Sequence, residues 1–438
     1  MPNNLTRREI LLAGAATSAA LATSNAFAAP TIWVPKKLRV GVIGCQGMGR
    51  GDRLNAARFG DVVALCDPDQ KRLSEAMVDH PRASAFSDLR VMLDAMEGRI
   101  DFVTVSTPDH THAIATAMAM ERGIHCYTQK PLTRTIPEAR ALAGIAKRSR
   151  VITQMGNQGT ASSGLRRTAA ALKAGAIGMV KEIHCWTDRA GGWWKQGVER
   201  AAQVPEPKEL NWDAWLGPAP MRPYAPGYHA FAWRGWWDFG TGSLGDMGCH
   251  VMNLPFMALD LRDPISVFAE SSRPEMKHNG DSFPSMSHVK YVFGERKGRA
   301  PVDLHWYDGG LKPEGVVKTD EPLPGNGALF VGENDILFVP ETYGDGAKLL
   351  SGKPLPEAAF VESPGHWEEF IAAIEGGARP MSDFVSYAAP LTETVLLGNL
   401  AIAAVGTELK WNARRMSVQE GVDVAHLLRP VARSGWSF

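Results

Sequence analysis

The sequence predicts two architectures in tandem: an α/β domain on a parallel sheet, then an α+β domain with a large, mostly antiparallel open sheet. Three observations predict it. Near-continuous apolar runs alternate with helical patterns up to about residue 158, as strands buried on both faces do. A glycine-rich turn, Gly44-Cys-Gln-Gly-Met-Gly-Arg-Gly51, joins the first run to a helix, and Asp67 follows about twenty residues on. Beyond residue 159 the texture changes to short alternating runs broken by Pro- and Gly-rich loops. The first unit is therefore expected to be a Rossmann-type NAD(P)-binding domain over residues 38–158, and the second a C-terminal α+β domain over residues 159–438.

The chain opens with a targeting pattern. Arg7-Arg8, a short Ala-rich apolar stretch and a small-x-small site at Ala26-Phe-Ala28 predict a twin-arginine (Tat) signal peptide over residues 1–28, with an N-terminal arm over 29–37. The stretch is too short and too rich in Ala, Ser and Thr for a membrane span of ~20 apolar residues. A periplasmic protein is expected, with the Tat machinery as its export partner. Tat export carries folded proteins, and free nicotinamide nucleotide is scarce outside the cytoplasm, so a nucleotide cofactor should travel in tightly bound.

Strands are predicted at 38–44, 61–67, 101–107, 124–128 and 151–155, each but the last followed by a helix. One helix should run from Ser162 to about Ala176, ended by Gly175. Alternating strands follow at 182–187, 265–270 and 288–293, with long loops at 190–245 and 308–328 and a late helical pair at about 364–376 and 386–406. Long ordered loops in a compact domain usually carry function. Acidic and basic residues number 47 each, which argues against a nucleic-acid or anionic-membrane partner. The five cysteines, at 45, 66, 126, 185 and 249, have neither zinc-like nor disulfide-framework spacing and read as structural thiols.

In the glycine turn, Gly44, Gly47 and Gly49 would let the backbone approach a pyrophosphate at a helix N-terminus, with Gln46 and Met48 beside them. Gln46 replaces the middle glycine of the G-x-G-x-x-G pattern, which by itself is also met in turns that bind nothing. Asp67, at the next strand's end, would accept from the adenosine ribose hydroxyls and repel a 2′-phosphate, favouring NAD over NADP. Lys130 ends an apolar strand before Pro131, where it could bond a substrate hydroxyl, hold a nicotinamide or simply face solvent. Asp246 and His250 lie four apart behind a glycine cluster, on one face if the segment is helical. Asp246 could orient the imidazole and His250 take a hydroxyl proton. Metal ligation, or a helix cap beside a core histidine, are the alternatives, and no third ligand stands at zinc-like spacing. Eight of the thirteen tryptophans fall between 186 and 237, so most should pack a large loop while one or two, with Trp233 foremost, face a sugar. Arg234 and Tyr307 are candidate readers of its hydroxyls. Thr107, Pro108, His110 and His112 follow a strand and should shape the cofactor loop.

Together these residues resemble the Gfo/Idh/MocA oxidoreductases, the family of glucose–fructose oxidoreductase and inositol dehydrogenase, from about residue 38 to 410. The most specific elements are Thr107-Pro108…His112, Lys130-Pro131 and the Gly-rich Asp246-x-x-x-His250; the Trp-rich 211–250 stretch looks like an exported branch acting on sugars. The resemblance implies catalytic roles for Lys130, Asp246 and His250. It implies a nucleotide lined by Met48, Gly49, Asp67, the Thr107–His110 turn, Gln129 and Asn157. It also implies a second domain used for self-association, hence a homo-oligomer, dimer or tetramer. Two residues depart from the pattern: Gln129 stands where the family has Glu before Lys-Pro, and Gln46 where it has a glycine. The expected function is an exported oxidoreductase with tightly bound NAD acting on a sugar or glycoside. A redox-neutral NAD-dependent glycosidase and a non-catalytic sugar or nucleotide sensor are the alternatives.

Overall fold

The computed structural model describes residues 37–272, 281–317, 322–419 and 422–438. The expected signal peptide, and all but Lys37 of the expected arm, lie outside the described residues. No helix among the described residues is long and apolar enough to cross a membrane.

Six strands form the first sheet: β1 (Leu38–Ile43), β2 (Gly60–Cys66), β3 (Ser84–Phe86), β4 (Phe102–Val105), β5 (His125–Thr128) and β6 (Thr153–Met155). They pair in the order 3-2-1-4-5-6, all parallel, as in doubly wound dinucleotide-binding domains. The alternating helices are α1 (Met48–Ala56), α2 (Gln70–Asp79), α3 (Leu89–Ala95), α4 (Asp109–Glu121) and α5 (Ile136–Ser149). Local chemistry sets where they start. Asp69 caps α2 by accepting from the Lys71 and Arg72 amides, Asp88 caps α3, and Thr135 with Glu138 forms a capping box on α5.

The second sheet has nine strands in the order 13-12-11-7-10-9-8-14-15, antiparallel except between β7 and β10. Its centre is β7 (Val180–Thr187), β8 (Ser266–Ser271), β9 (Ser287–Phe293), β10 (Val302–Tyr307) and β11 (Asn326–Gly332); β12 (Ile336–Val339), β13 (Lys348–Leu349), β14 (Leu409–Asn412) and β15 (Ser417–Val418) extend it. Ser287, Val289, Tyr291 and Phe293 of β9 are buried and alternate with half-buried His288, Lys290 and Val292. That period of two marks one covered face. The longer helices of this half are α6 (Ser163–Lys173), α7 (Gly242–Val251), α8 (Asn253–Leu259), α9 (His366–Ile374) and α10 (Ala389–Ala403). The covering helix is α10, with Tyr291 donating to the Val395 carbonyl at 3.3 Å.

One segment differs from expectation. The long loop foreseen over 308–328 ends earlier, because Asn326 already pairs with Thr187 in the sheet. Helix α9, late in the chain, covers the first sheet: Trp367 stacks on Tyr127 at 4.1 Å and Phe370 meets Phe102 edge-on at 5.6 Å. The 190–245 segment packs its own core, in which Trp212, Trp215, Tyr228, Trp236 and Phe239 interlock.

Candidate active site

The carboxyl ends of β1, β2, β4 and β5 converge where the strand order reverses between β1 and β4. A cavity of about 440 Å³ opens there, walled by these strand ends, by the 190–245 segment and by α7.

One half suits a dinucleotide. Gly44 has φ +88°, and a Cβ on it would sit 2.5 Å from the Ser106 carbonyl oxygen, so only glycine keeps the β1 turn against β4. Gly47 precedes α1, whose first turn has neither a side-chain cap nor an acidic residue, leaving the positive helix end bare. Gln46 directs its amide to Glu75 on α2 at 3.0 Å, so its side chain is tied to that helix. Asp67 accepts from the Cys45 and Asp69 amides at 2.9 and 3.0 Å, and burial pushes its pKa up to about 6. Met48, Thr107, Pro108, His112 and Gln129 also line the cavity. The ring nitrogens of His112 lie 2.8 and 2.9 Å from the Pro131 and Thr107 carbonyls, so it shapes the wall. Gly49, His110 and Asn157 stand behind the wall. Gly49 packs on Gly44, His110 is held between the Phe239 and Trp215 carbonyls, and Asn157 donates to the Cys249 carbonyl at 3.2 Å. The glycine turn, the bare helix end and the buried acid at β2 fit NAD. They would hold its pyrophosphate and adenosine ribose respectively.

The other half is a charge cluster. Lys130 pairs with the Asp246 carboxylate and donates to its carbonyl at 3.2 Å. Arg234 sits 3.2 Å from the same carboxylate and donates to both oxygens of Asp109 at 2.9 and 3.0 Å. Burial alone would raise the Asp246 pKa, but Arg234 and Lys130 hold it well below the usual carboxylate range. Burial, assisted by the Lys130 charge, pulls His250 down to about 3 and keeps the ring neutral. Burial pushes the Cys249 thiol up to about 12, which removes it as a nucleophile at neutral pH.

Three expectations are corrected. Asp246 does not orient His250, because Lys130 and Arg234 occupy its carboxylate; His250 Nδ1 is buried without a partner among the described residues. Arg234 lines the cavity but is tied to two carboxylates, so it positions Asp246 instead of standing free for a hydroxyl. Tyr307 lies on the other face of the second sheet, bonded to His184 at 3.1 Å and stacked on His288, because its β10 position points away from the cavity-side helices. Trp233 does line the cavity, with Arg234 4.3 Å over its ring. Gln129 has a structural counterpart to the missing acid. It donates at 2.8 Å to Asp52, a buried carboxyl raised to about 6 by desolvation.

Arg72, Arg189 and Tyr343, which carry no mark in the sequence, also stand on the cavity wall. Tyr343 meets His250 edge-on at 5.8 Å. None belongs to a local motif that spacing could reveal. No group of three or more His, Cys, Asp or Glu side chains suited to a metal occurs among the described residues.

Comparison with known proteins agrees with this geometry. Residues 38–157 match the Gfo/Idh/MocA family profile described as an oxidoreductase family with an NAD-binding Rossmann fold, and residues 170–295 match its C-terminal alpha/beta domain. UDP-N-acetylglucosamine 3-dehydrogenase of Acidithiobacillus ferrooxidans is 31% identical over 120 residues, 27% of this chain and 37% of that protein. D-apiose dehydrogenase of Paraburkholderia graminis is 30% identical over 146 residues, 33% of this chain and 38% of that protein. The chain thus spans little more than a third of these curated relatives. The WlbA dehydrogenase of Bordetella pertussis, solved with NADH and UDP-GlcNAcA, shares the fold with a TM-score of 0.60 at 16% identity, over 86% of this chain and 99% of that one.

Proposed function

Because the chain belongs to the Gfo/Idh/MocA oxidoreductase family, we propose that it is an NAD-dependent oxidoreductase acting on a hydroxyl of a sugar derivative. The observation that carries the reading is the convergence of Lys130, Asp246 and His250 in one cavity with the Gly44 turn and Asp67. Bound NAD supplies the hydride acceptor. The Lys130 ammonium, fixed by Asp246, holds the substrate oxygen, and neutral His250 takes the hydroxyl proton as the carbonyl forms. Arg234 and Asp109 keep Asp246 in place. Both curated relatives carry the names of sugar or sugar-nucleotide dehydrogenases, which supports a sugar-type substrate. In this proposal the Arg7-Arg8 leader exports the folded protein to the periplasm with NAD retained, and the nine-stranded sheet joins copies into a homo-oligomer.

The test starts from protein exported on its own leader and purified without added nucleotide. It is denatured to assay released NAD(H) and NADP(H). Intact protein is mixed with sugars and nitrophenyl glycosides while absorbance near 340 nm is followed. Bound NAD with a sugar-dependent rise in absorbance is expected. Steady nitrophenol release with no net absorbance change would replace the oxidoreductase with a glycosidase, and no bound nucleotide would remove the retained-cofactor proposal.

A further inference from the structure

The catalytic end of the cavity holds more positive charge than its own carboxylates neutralise. Lys130, Arg234 and Arg189 face two buried acids, Asp246 and Asp109. Asp246 is in direct contact with Lys130 and lies 3.2 Å from Arg234, which also holds Asp109. Arg189 is left over. Its Nη1 is 3.7 Å from Asp246 Oδ2, beyond hydrogen-bonding reach, and among the described residues its guanidinium donates only to the Met247 sulfur, at 3.3 Å. A thioether is a weak acceptor.

The arginine is nevertheless held in place. Its carbonyl accepts from Ser243 on α7, the helix that carries Asp246 and His250, and its amide donates to Thr187 at 3.3 Å. The guanidinium lies 4.3 Å from the Trp193 ring centroid, a surface that orients the fork without satisfying its donors. Its side chain is 32% exposed and lines the cavity. A planar cation with unused donors, fixed beside the reacting centre, matches a carboxylate or phosphate in two-point contact. Neutral sugar hydroxyls leave the excess charge uncompensated.

We propose that Arg189 forms a subsite for an anionic group on the sugar, a carboxylate or a phosphate, and so selects acidic sugar derivatives. The inference rests on the oxidoreductase reading for the identity of the cavity, but its test reads binding and not turnover. Native protein, Arg189→Gln and Arg189→Lys, each saturated with NADH, are titrated calorimetrically with D-glucuronate, D-glucose 6-phosphate and D-glucose. Native protein should bind one of the anions roughly tenfold or more tighter than glucose. The anion that gains identifies the group. Arg189→Gln should erase the preference, Arg189→Lys should keep part of it, and NADH affinity should stay within about twofold of native because Arg189 lies at the sugar end. Equal binding of all three probes, binding of none, or a preference that survives in Arg189→Gln overturns the proposal. If the preference holds but no sugar raises the absorbance near 340 nm when the same proteins are loaded with NAD in place of NADH, the oxidoreductase reading fails and the anion subsite stands.

Discussion

Lys130 and His250 share a pocket yet differ in charge: the lysine is paired with Asp246, while burial keeps the imidazole neutral. In the proposed reaction the cation steadies the substrate oxygen and the neutral ring accepts its proton. Replacing the lysine removes one task without emptying the nucleotide half. Lys130→Met should lower kcat by about 10²–10⁴-fold while NADH affinity, measured by fluorescence titration, changes little; a variant that keeps native turnover would sink the assignment. Asp67 sets the other residue-scale expectation. Its carboxyl, fixed by two backbone amides at the end of β2, stands where a ribose 2′-phosphate would bring a like charge. Native protein should bind NADH roughly tenfold or more tighter than NADPH, and Asp67→Ala should narrow that ratio. An unchanged ratio would assign cofactor choice to another group, with Arg72 nearest at hand.

Helix α7 delivers Asp246 and His250 together because they lie one turn apart on the same face. Its glycines let it sit tightly against α10. A Cβ on Gly248 would meet Val395 at 3.1 Å, and one on Gly398 would run into the Tyr291 hydroxyl and Leu244. The site is thus positioned by close helix–helix approach on the sheet, without a covalent or metal tie among the described residues. Gly398→Ala should cost about 1–3 kcal/mol in urea unfolding, since nothing around Gly398 can yield without moving Tyr291 or α7. A neutral effect would mean that α10 can slide, and that the site tolerates the slide. The 190–245 segment works at the same scale: its aromatic core is built from its own residues and roofs the cavity with Trp193, Trp215 and Trp233.

Across the whole molecule, buried titratable groups set the response to acid. Burial pulls His110 and His250 down to about 3, and His184, His305 and His366 to about 4, whereas an unfolded histidine titrates near about 6.5. Between about pH 6.5 and 4 the unfolded chain binds protons that these folded sites refuse, so stability falls with pH. Burial acts in the opposite direction on Asp52 and Asp67, raised to about 6, and on Asp308, raised to about 7: these bind protons in the folded state first and resist the loss. Five histidines outnumber three aspartates, so stability should fall from pH 7 to pH 5 by roughly 1.4 kcal/mol per pH unit for each unmatched proton, and Tm should drop with it. A Tm that holds or rises over that range would show that the aspartates dominate. Helix α9 gives the molecule its other large-scale tie, because residues near the end of the chain return to cover β4 and β5 of the first sheet.

Five of the six strands of the first sheet were legible from their apolar runs, and the Gly44 turn and Asp67 from their spacing, because each depends on a few consecutive residues. Lys130, Asp246 and His250 could be singled out for the same reason, each sitting in a short marked stretch at a strand end or behind a glycine cluster. The short strands β3 and β12–β15 carry too few residues to show a period, and they form only because neighbours supply partners. Partnership was likewise decided in three dimensions. Whether Arg234 is free or tied, whether Asp246 serves His250 or Lys130, and which face of β10 bears Tyr307 all depend on groups tens or hundreds of residues away. A sequence fixes which side chains can carry charge. Only the packed chain decides which charges meet, because pairing at 3 Å is a property of distance and burial and leaves no local signature.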